Sequence, residues 1–168
     1  MTILTKNEII KALKKRDVKI EPLNLRNIGP GSIDLTLDNR FRVFKNNKTK
    51  LALSEDMDYK KLSTEKFGPL ILNPGEFVLG ITKEKITLPS KLCGFLSGRS
   101  RFARLGILVH ATASFIQPGI SNKQVLEIYN LSQRKIILKE GLRICQLCLQ
   151  KTKGKALYQG RFKKQLSP

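Results

Sequence analysis

Along most of this chain hydrophobic and polar side chains alternate with a period of two. The alternation runs through short stretches: Ser32 to Leu37, Phe41 to Phe44, Glu76 to Ile81, Leu92 to Leu96, Ile107 to Ala111, Val125 to Asn130, Lys135 to Leu138 and Leu142 to Leu149. A strand with this pattern presents one face to a core and the other to water. Gly29-Pro-Gly31, Asn73-Pro-Gly75, Leu88-Pro89, Gln117-Pro-Gly119 and Glu140-Gly141 separate the stretches at the spacing of an all-β sandwich or barrel. Only near the N-terminus does the period lengthen to that of a helix. Thr5-Lys-Asn-Glu8 fits a capping box, Ile9, Ile10 and Leu13 form an apolar stripe, and Lys11, Lys14 and Lys15 face water. Asp17 and Val18 mark the exit, so the pattern predicts a helix over about residues 5–17. Residues 45–66 are polar and lysine-rich and read as an excursion from the sheet, and residues 151–168 read as a short tail. No internal repeat or low-complexity linker interrupts the chain. The expectation is one mainly β domain over residues 1–168, with a single N-terminal helix.

Composition narrows the class. A chain of 168 residues that is 40% hydrophobic can enclose one real core and is short for two. No segment approaches the ~18 uncharged apolar residues of a membrane span, and Met-Thr-Ile-Leu-Thr-Lys lacks the apolar region of a signal peptide. A cytoplasmic protein with no membrane partner is expected. Cys93, Cys145 and Cys148 are an odd number, which argues against a disulfide framework. The Cys145-x-x-Cys148 pair invites a metal reading, but a structural zinc site wants about four ligands, and only Cys93 and His110 remain to complete one. Ile144 to Leu149 reads better as a buried strand.

The net charge of +19, from 32 Lys and Arg against 13 acids, favours polyanionic partners: nucleic acid, a membrane surface or a nucleotide triphosphate. The basic residues are spread along the chain, with local excesses at Lys11 to Lys19, Lys45 to Lys50 and Arg161 to Lys164. No interleaved aromatic signature accompanies them, so a solvated basic surface is preferred over a dedicated nucleic-acid function.

The most informative segment is Leu96-Ser-Gly-Arg-Ser-Arg-Phe-Ala-Arg-Leu-Gly-Ile107. Gly98 permits close backbone approach, Arg99 and Arg104 supply positive forks, and Ser100 supplies a hydroxyl and an amide, all of which suit phosphate. A short helical turn over Ser100 to Leu105 would add free amides. The same residues can equally pin a loop. Glu127 stands out separately, because Val125, Leu126, Ile128 and Tyr129 make its strand otherwise apolar. A carboxylate there needs a partner or a use; pairing with Arg104 or Arg99 would be the structural account.

Taken together these motifs resemble the superfamily of dCTP deaminases and trimeric dUTPases over roughly residues 3–150. Gly29-Pro-Gly-Ser-Ile-Asp-Leu-Thr-Leu37 looks like an early family strand, and Asn73-Pro-Gly-Glu-Phe-Val-Leu-Gly80 with Ile86-Thr-Leu-Pro89 looks like the following hairpin. The Arg99 segment, His110-Ala-Thr-Ala113, the Pro118-Gly119 turn and Val125 to Asn130 then follow in the family's order. The fold implied is the dUTPase-like distorted β-barrel or jelly-roll. Where dUTPases place a water-activating aspartate this chain has Gln117, which cannot act as a carboxylate base. Where deaminases place a glutamate it has Glu127. The resemblance therefore implies the deaminase branch: hydrolysis of dCTP to dUTP and ammonia, the hydrolase class that opens a C–N bond in a cyclic amidine.

The resemblance further implies site residues. Glu127 would move the proton between water and the departing amine, Ser100 would hold the water or developing oxyanion, and Arg104 would place the glutamate. Arg99 and Arg101, with nearby amides, would hold the phosphates of a magnesium-bound triphosphate. Thr112, Ala113, Gln117, Val125 and Leu126 would surround the nucleoside, and Tyr158 and Arg161 would come from the tail. Zinc deaminases carry an H-x-E signature; His110 is followed by Ala-Thr-Ala, so the resemblance implies chemistry without a metal at the base. It also implies a homotrimer with sites between subunits. Arg101 and Asn122 depart from the family pattern, and Leu157 and Arg161 replace a lysine and a glutamine in a shortened tail, where Arg161, Lys163 and Lys164 offer substitute charge. Two alternatives follow. One is a bifunctional enzyme that gives dUMP, against which Gln117 counts. The other is a deaminase-like protein with altered catalysis that serves as a nucleic-acid-binding or structural module.

Overall fold

The alternating stretches form antiparallel strands in a computed structural model, which describes residues 2–45 and 50–168. In chain order the elements are α1 (Lys6–Lys14), β1 (Lys19–Glu21), β2 (Ile33–Phe44), β3 (Ser63–Phe67), β4 (Leu70–Leu72), β5 (Phe77–Thr87) and β6 (Leu92–Gly98). They continue with α2 (Ser100–Ala103), β7 (Ile107–Val109), β8 (Phe115–Ile116), β9 (Ser121–Asn130), β10 (Ile136–Leu138) and β11 (Arg143–Lys151). The main sheet runs β7-β9-β5-β2-β11-β6-β8, with β1 added to β5 and β3 to β2, and β4 pairs separately with β10. The sheet curls until its two ends meet: a Cβ placed on Gly98 at the end of β6 would lie 3.5 Å from the carbonyl oxygen of Val109 in β7. This is the mainly β, dUTPase-like distorted barrel that the sequence pattern and the resemblance together led us to expect.

The core lies inside the curl. Ile33, Leu35 and Leu37 of β2, Leu126 and Ile128 of β9 and Ile144, Leu147 and Leu149 of β11 are essentially unexposed, and Ile9 docks α1 against them. Each such side chain contributes ~1.5–3 kcal/mol by leaving water. The long strands bend at irregular registers between Leu37 and Phe41, between Ile81 and Lys85, and between Arg143 and Cys145. Bulges of this kind sharpen the local twist that closure requires.

Several expectations change in detail. Helix α1 ends at Lys14 rather than near residue 17, because Arg16 adopts a left-handed φ of 59° that cannot continue a right-handed helix. Thr5 is the N-cap, yet its side chain makes no capping hydrogen bond, and Glu8 lies 3.7 Å from Lys11; the capping box is not formed. Ser32 to Leu37 and Phe41 to Phe44 are one bent strand, and Glu76 to Ile81 extends to Thr87. The 45–66 excursion rejoins the sheet, since β3 pairs with β2; its residues 46–49, with part of the Lys45 to Lys50 excess, lie outside the described residues. Cys145 and Cys148 lie in β11, as the strand reading requires, with Cys145 fully buried and its thiol pushed far up by burial. Among the described residues no helix is long and apolar enough to cross a membrane.

One buried carboxylate was not anticipated. Glu84, only 4% exposed, accepts hydrogen bonds from the backbone N–H of Thr36 at 2.9 Å and from the Thr36 hydroxyl. Burial raises its pKa, against the lowering effect of the Thr36 bonds. The folded state therefore holds this proton to higher pH than the unfolded chain, so Glu84's contribution is fully present below the unfolded value and is lost as pH rises through the folded one. The difference in melting temperature between the native chain and Glu84→Gln is expected to favour the native chain most at mildly acidic pH and to shrink towards neutrality. Circular dichroism melts across that window test this, and a difference that grows with pH would refute it.

Candidate active site

Strand β9 decides which side chains can act together. It is held between β5, where Leu79 faces Glu127, and β7, where Val109 faces Ile128. With Leu126 and Ile128 at 0% exposure in the core, the pleat turns Glu127, Val125 and Lys123 to the opposite face. There they line a cleft of about 390 Å³ together with His110, Ala113, Phe115, Gln117, Asn122, Gln124 and Tyr158. Glu127 is half-buried rather than buried, so its burial cost is smaller than an apolar strand implied.

The carboxylate of Glu127 is gripped by one residue. The Thr112 backbone N–H donates to Oε2 at 2.9 Å and the Thr112 hydroxyl donates to Oε1 at 2.6 Å. The turn that delivers Thr112 is anchored at His110, whose backbone N–H donates to the Glu127 carbonyl at 2.6 Å and whose φ of 59° reverses the chain after β7. The His110 ring donates from Nε2 to the Ala113 carbonyl at 2.9 Å, closing the turn on itself. Burial holds the imidazole below its usual pKa, which suits a neutral ring with the proton on Nε2, and Nδ1 is left buried without a partner.

The arginine-rich loop lies elsewhere. Arg99 caps α2 and is tied by its guanidinium to Asp34 at 3.1 Å and to the carbonyl of Arg143 at 2.9 Å, while Arg143 reaches the same Asp34 at 3.3 Å. Ser100, Arg101 and Arg104 are exposed, and none of these four residues lines the Glu127 cleft. Among the described residues neither Arg99 nor Arg104 bonds to Glu127; within one chain Thr112 does the placing expected of Arg104. The side chain of Leu126 lies in the core, so only its backbone is available to a ligand, and that backbone pairs with Gly80. Of Thr112 and Ala113, expected to surround the nucleoside, the Thr112 N–H is engaged by Glu127 and the Ala113 carbonyl by His110.

The tail folds over the same cleft. Tyr158 N–H donates to Pro118, Ser121 N–H to Lys163 and Lys123 N–H to Gln165, so residues 158–165 run along the part of β9 that β7 leaves free. Gly119 makes this possible: at its φ of 77° a Cβ would stand 2.6 Å from Leu157 Cδ2. Arg161 points outward, 5.8 Å above the Phe162 ring and 3.9 Å from Asp58.

Sequence reasoning passed over Lys123 and Gln124, although the period-two rule places Lys123 on the face of Glu127. It weighed His110 only as a metal ligand, and missed Phe115 because β8 has two residues and no visible period. Asp34, the partner of Arg99, had been noted only as part of a motif.

Known proteins show the family. A family model described as dCTP deaminase-like matches residues 3–152. A protein of Parafrankia sp. named dCTP deaminase, dUMP-forming, is 38% identical over 176 residues, covering 99% of this chain and 88% of the relative. Its namesake in Corynebacterium glutamicum strain R is 41% identical over 150 residues, covering 88% of this chain and 79% of the relative. In fold, the crystal structure of 2'-deoxycytidine 5'-triphosphate deaminase from Agrobacterium tumefaciens superposes with a TM-score of 0.69 at 20% identity, covering 88% of this chain and 47% of that one. The family match and the relatives agree, and the chain belongs to the dCTP deaminase-like family.

Proposed function

We propose that this protein is a hydrolase that deaminates dCTP, taken as its magnesium complex, and that Glu127 carries the proton. The observation that supports this most directly is the Glu127 carboxylate, set at a cleft of nucleoside size with both oxygens held by Thr112. Water adds to C4 of the cytosine as Glu127 takes one of its protons. The same carboxylic acid then delivers that proton to the amino nitrogen, and ammonia leaves as the C4 carbonyl forms, the remaining proton of the added water ending on N3 of the uracil ring. Phe115, Val125 and Tyr158 offer apolar and aromatic surface to the base and sugar.

Phosphate binding needs positive charge that the Glu127 cleft of one chain lacks, apart from Lys123. The exposed Ser100, Arg101 and Arg104, with Arg99 behind them, supply it when a second copy brings its loop to the cleft. A homotrimer with sites between subunits follows from this reading, and Ser100 and Arg104 then meet the water and Glu127 from the neighbouring chain.

The product admits a second reading. The relatives described above are named as dUMP-forming, which favours coupled release of diphosphate. Gln117 lines the cleft where a carboxylate would otherwise sit and opposes it. Chromatography of products from dCTP, dCMP, CTP and dUTP separates the two: dUTP accumulating from dCTP supports simple deamination, and dUMP supports the coupled reaction.

Glu127→Gln is expected to lower ammonia release from dCTP by ~10² to 10⁴ with the fold intact; substantial turnover by that variant would end the proposal. Thr112→Val keeps the backbone donor but removes the hydroxyl bond. Loss of a hydrogen bond to a charged group costs ~1.5–3 kcal/mol, so kcat is expected to fall by roughly tenfold to a hundredfold with a smaller change in KM. Steady-state kinetics test this, and an unchanged kcat would refute the clamp.

A further inference from the structure

Three basic stretches that are far apart in sequence meet at the end of the molecule formed by α1. Leu4 N–H donates to Leu149 at 2.9 Å and Lys151 N–H to Thr2 at 3.4 Å, which sets α1 beside the end of β11. Thr152 N–H donates to Lys91 at 3.0 Å and Ala156 N–H to Ser90 at 2.9 Å, which sets the segment after β11 against the turn before β6. Between these elements lies a cleft of about 600 Å³ with Lys11, Lys15, Lys91 and Lys151 on its walls, beside the Ser90 and Thr152 side chains. Glu8 and Asp17 also line it, and Glu8 lies 3.7 Å from Lys11. Among the described residues Lys15, Lys91 and Lys151 take part in no ion pair. None of the cleft's residues lines the cleft around Glu127.

The chemistry of the walls limits the ligand. Ammonium groups bind phosphate as point charges, and no arginine fork is present to demand planar, bidentate geometry. Among the described residues no aromatic side chain lines the cleft, which offers no stacking platform for a nucleobase. What remains is recognition of several phosphates in a row. We infer that this cleft is a second anion site, which takes a multiply phosphorylated ligand through Lys15, Lys91 and Lys151. The inference lies outside the proposed reaction and does not depend on it. A free triphosphate and the backbone of a nucleic acid present the same chemistry.

The test uses tripolyphosphate as probe, titrated calorimetrically into the full chain at low salt, with a triple variant Lys15→Ala, Lys91→Ala, Lys151→Ala. A control variant, Lys66→Ala, Lys135→Ala, Lys139→Ala, removes the same charge from exposed positions outside the cleft. The cleft variant is expected to lose one class of tripolyphosphate site, or to bind there roughly tenfold more weakly or worse, while the control retains it. Equal binding by the cleft variant and the native chain, or equal losses in both variants, would overturn the inference, the second outcome assigning the affinity to diffuse charge. A single-stranded oligodeoxynucleotide of about 12 nucleotides identifies the source. If the phosphates belong to a polymer, it competes with tripolyphosphate and its logarithmic salt slope falls by about 2 in the cleft variant; if they belong to a free triphosphate, it does not compete. Ammonia release from dCTP, followed in all three proteins, is expected to be unchanged by the cleft variant. Absence of turnover in the native chain would refute the proposed reaction and leave the binding comparison intact.

Discussion

Strand β9 is pinned on both sides, by β5 along most of its length and by β7 at its C-terminal end, and its pleat assigns every side chain to one of two environments. Leu126 and Ile128 fill the core, so Glu127 between them must face the cleft. A register slip of one residue would reverse this, placing a carboxylate in the core and two aliphatic side chains in the cleft. The core contacts of Leu126 and Ile128 thereby fix the direction of the catalytic candidate. The Thr112 clamp then fixes its oxygens, and that clamp exists because β7 ends in the left-handed turn at His110, itself hydrogen-bonded to the Glu127 carbonyl. Core, turn and carboxylate form one continuous hydrogen-bonded unit.

The same architecture keeps the positive loop apart. Arg99 is held against Asp34 of β2 and the backbone of β11. Asp34 therefore acts as a scaffold that orients the Gly98 to Arg104 segment outward. A carboxylate cleft on one face and an outward basic loop on another are complementary in charge, and under the proposed function a closed ring of copies would satisfy both at every site.

Period-two alternation was legible enough to locate most strands, because burial on one face leaves a direct trace in the residue pattern. The lost details share a cause. The continuity of β2 through Asp38 to Arg40 depends on a bulge and on bonds from Lys123 to Asp38, both set by distant strands. The end of α1 depends on the backbone angle of Arg16, which composition does not encode. Glu127 was visible from its apolar neighbours, but its partner within one chain was not: the sequence offers Arg99 and Arg104 as obvious cations, whereas the intrachain partner is a threonine whose position is set by a turn. Glu84 was invisible because its burial arises from the bend in β5, and nothing in Thr82-Lys-Glu-Lys85 separates it from a surface residue.

The charge imbalance acquires a structural meaning once the acids are located. Asp34, Asp38, Glu65, Glu84, Glu127 and Glu140 are all engaged within the fold, by arginine, lysine or threonine. Of these only Glu84 is buried, and Glu84 and Glu127 are held by threonine rather than by a cation. Meanwhile the lysines need only their aliphatic stems on the protein and keep their ammonium groups in water. The outer surface therefore stays strongly basic, as the net charge of +19 indicates. A domain built this way needs no dedicated nucleic-acid motif to attract phosphate. Diffuse charge raises the local concentration of polyanions, and the cleft beside α1 differs from the rest of that surface in gathering several lysines around one hollow.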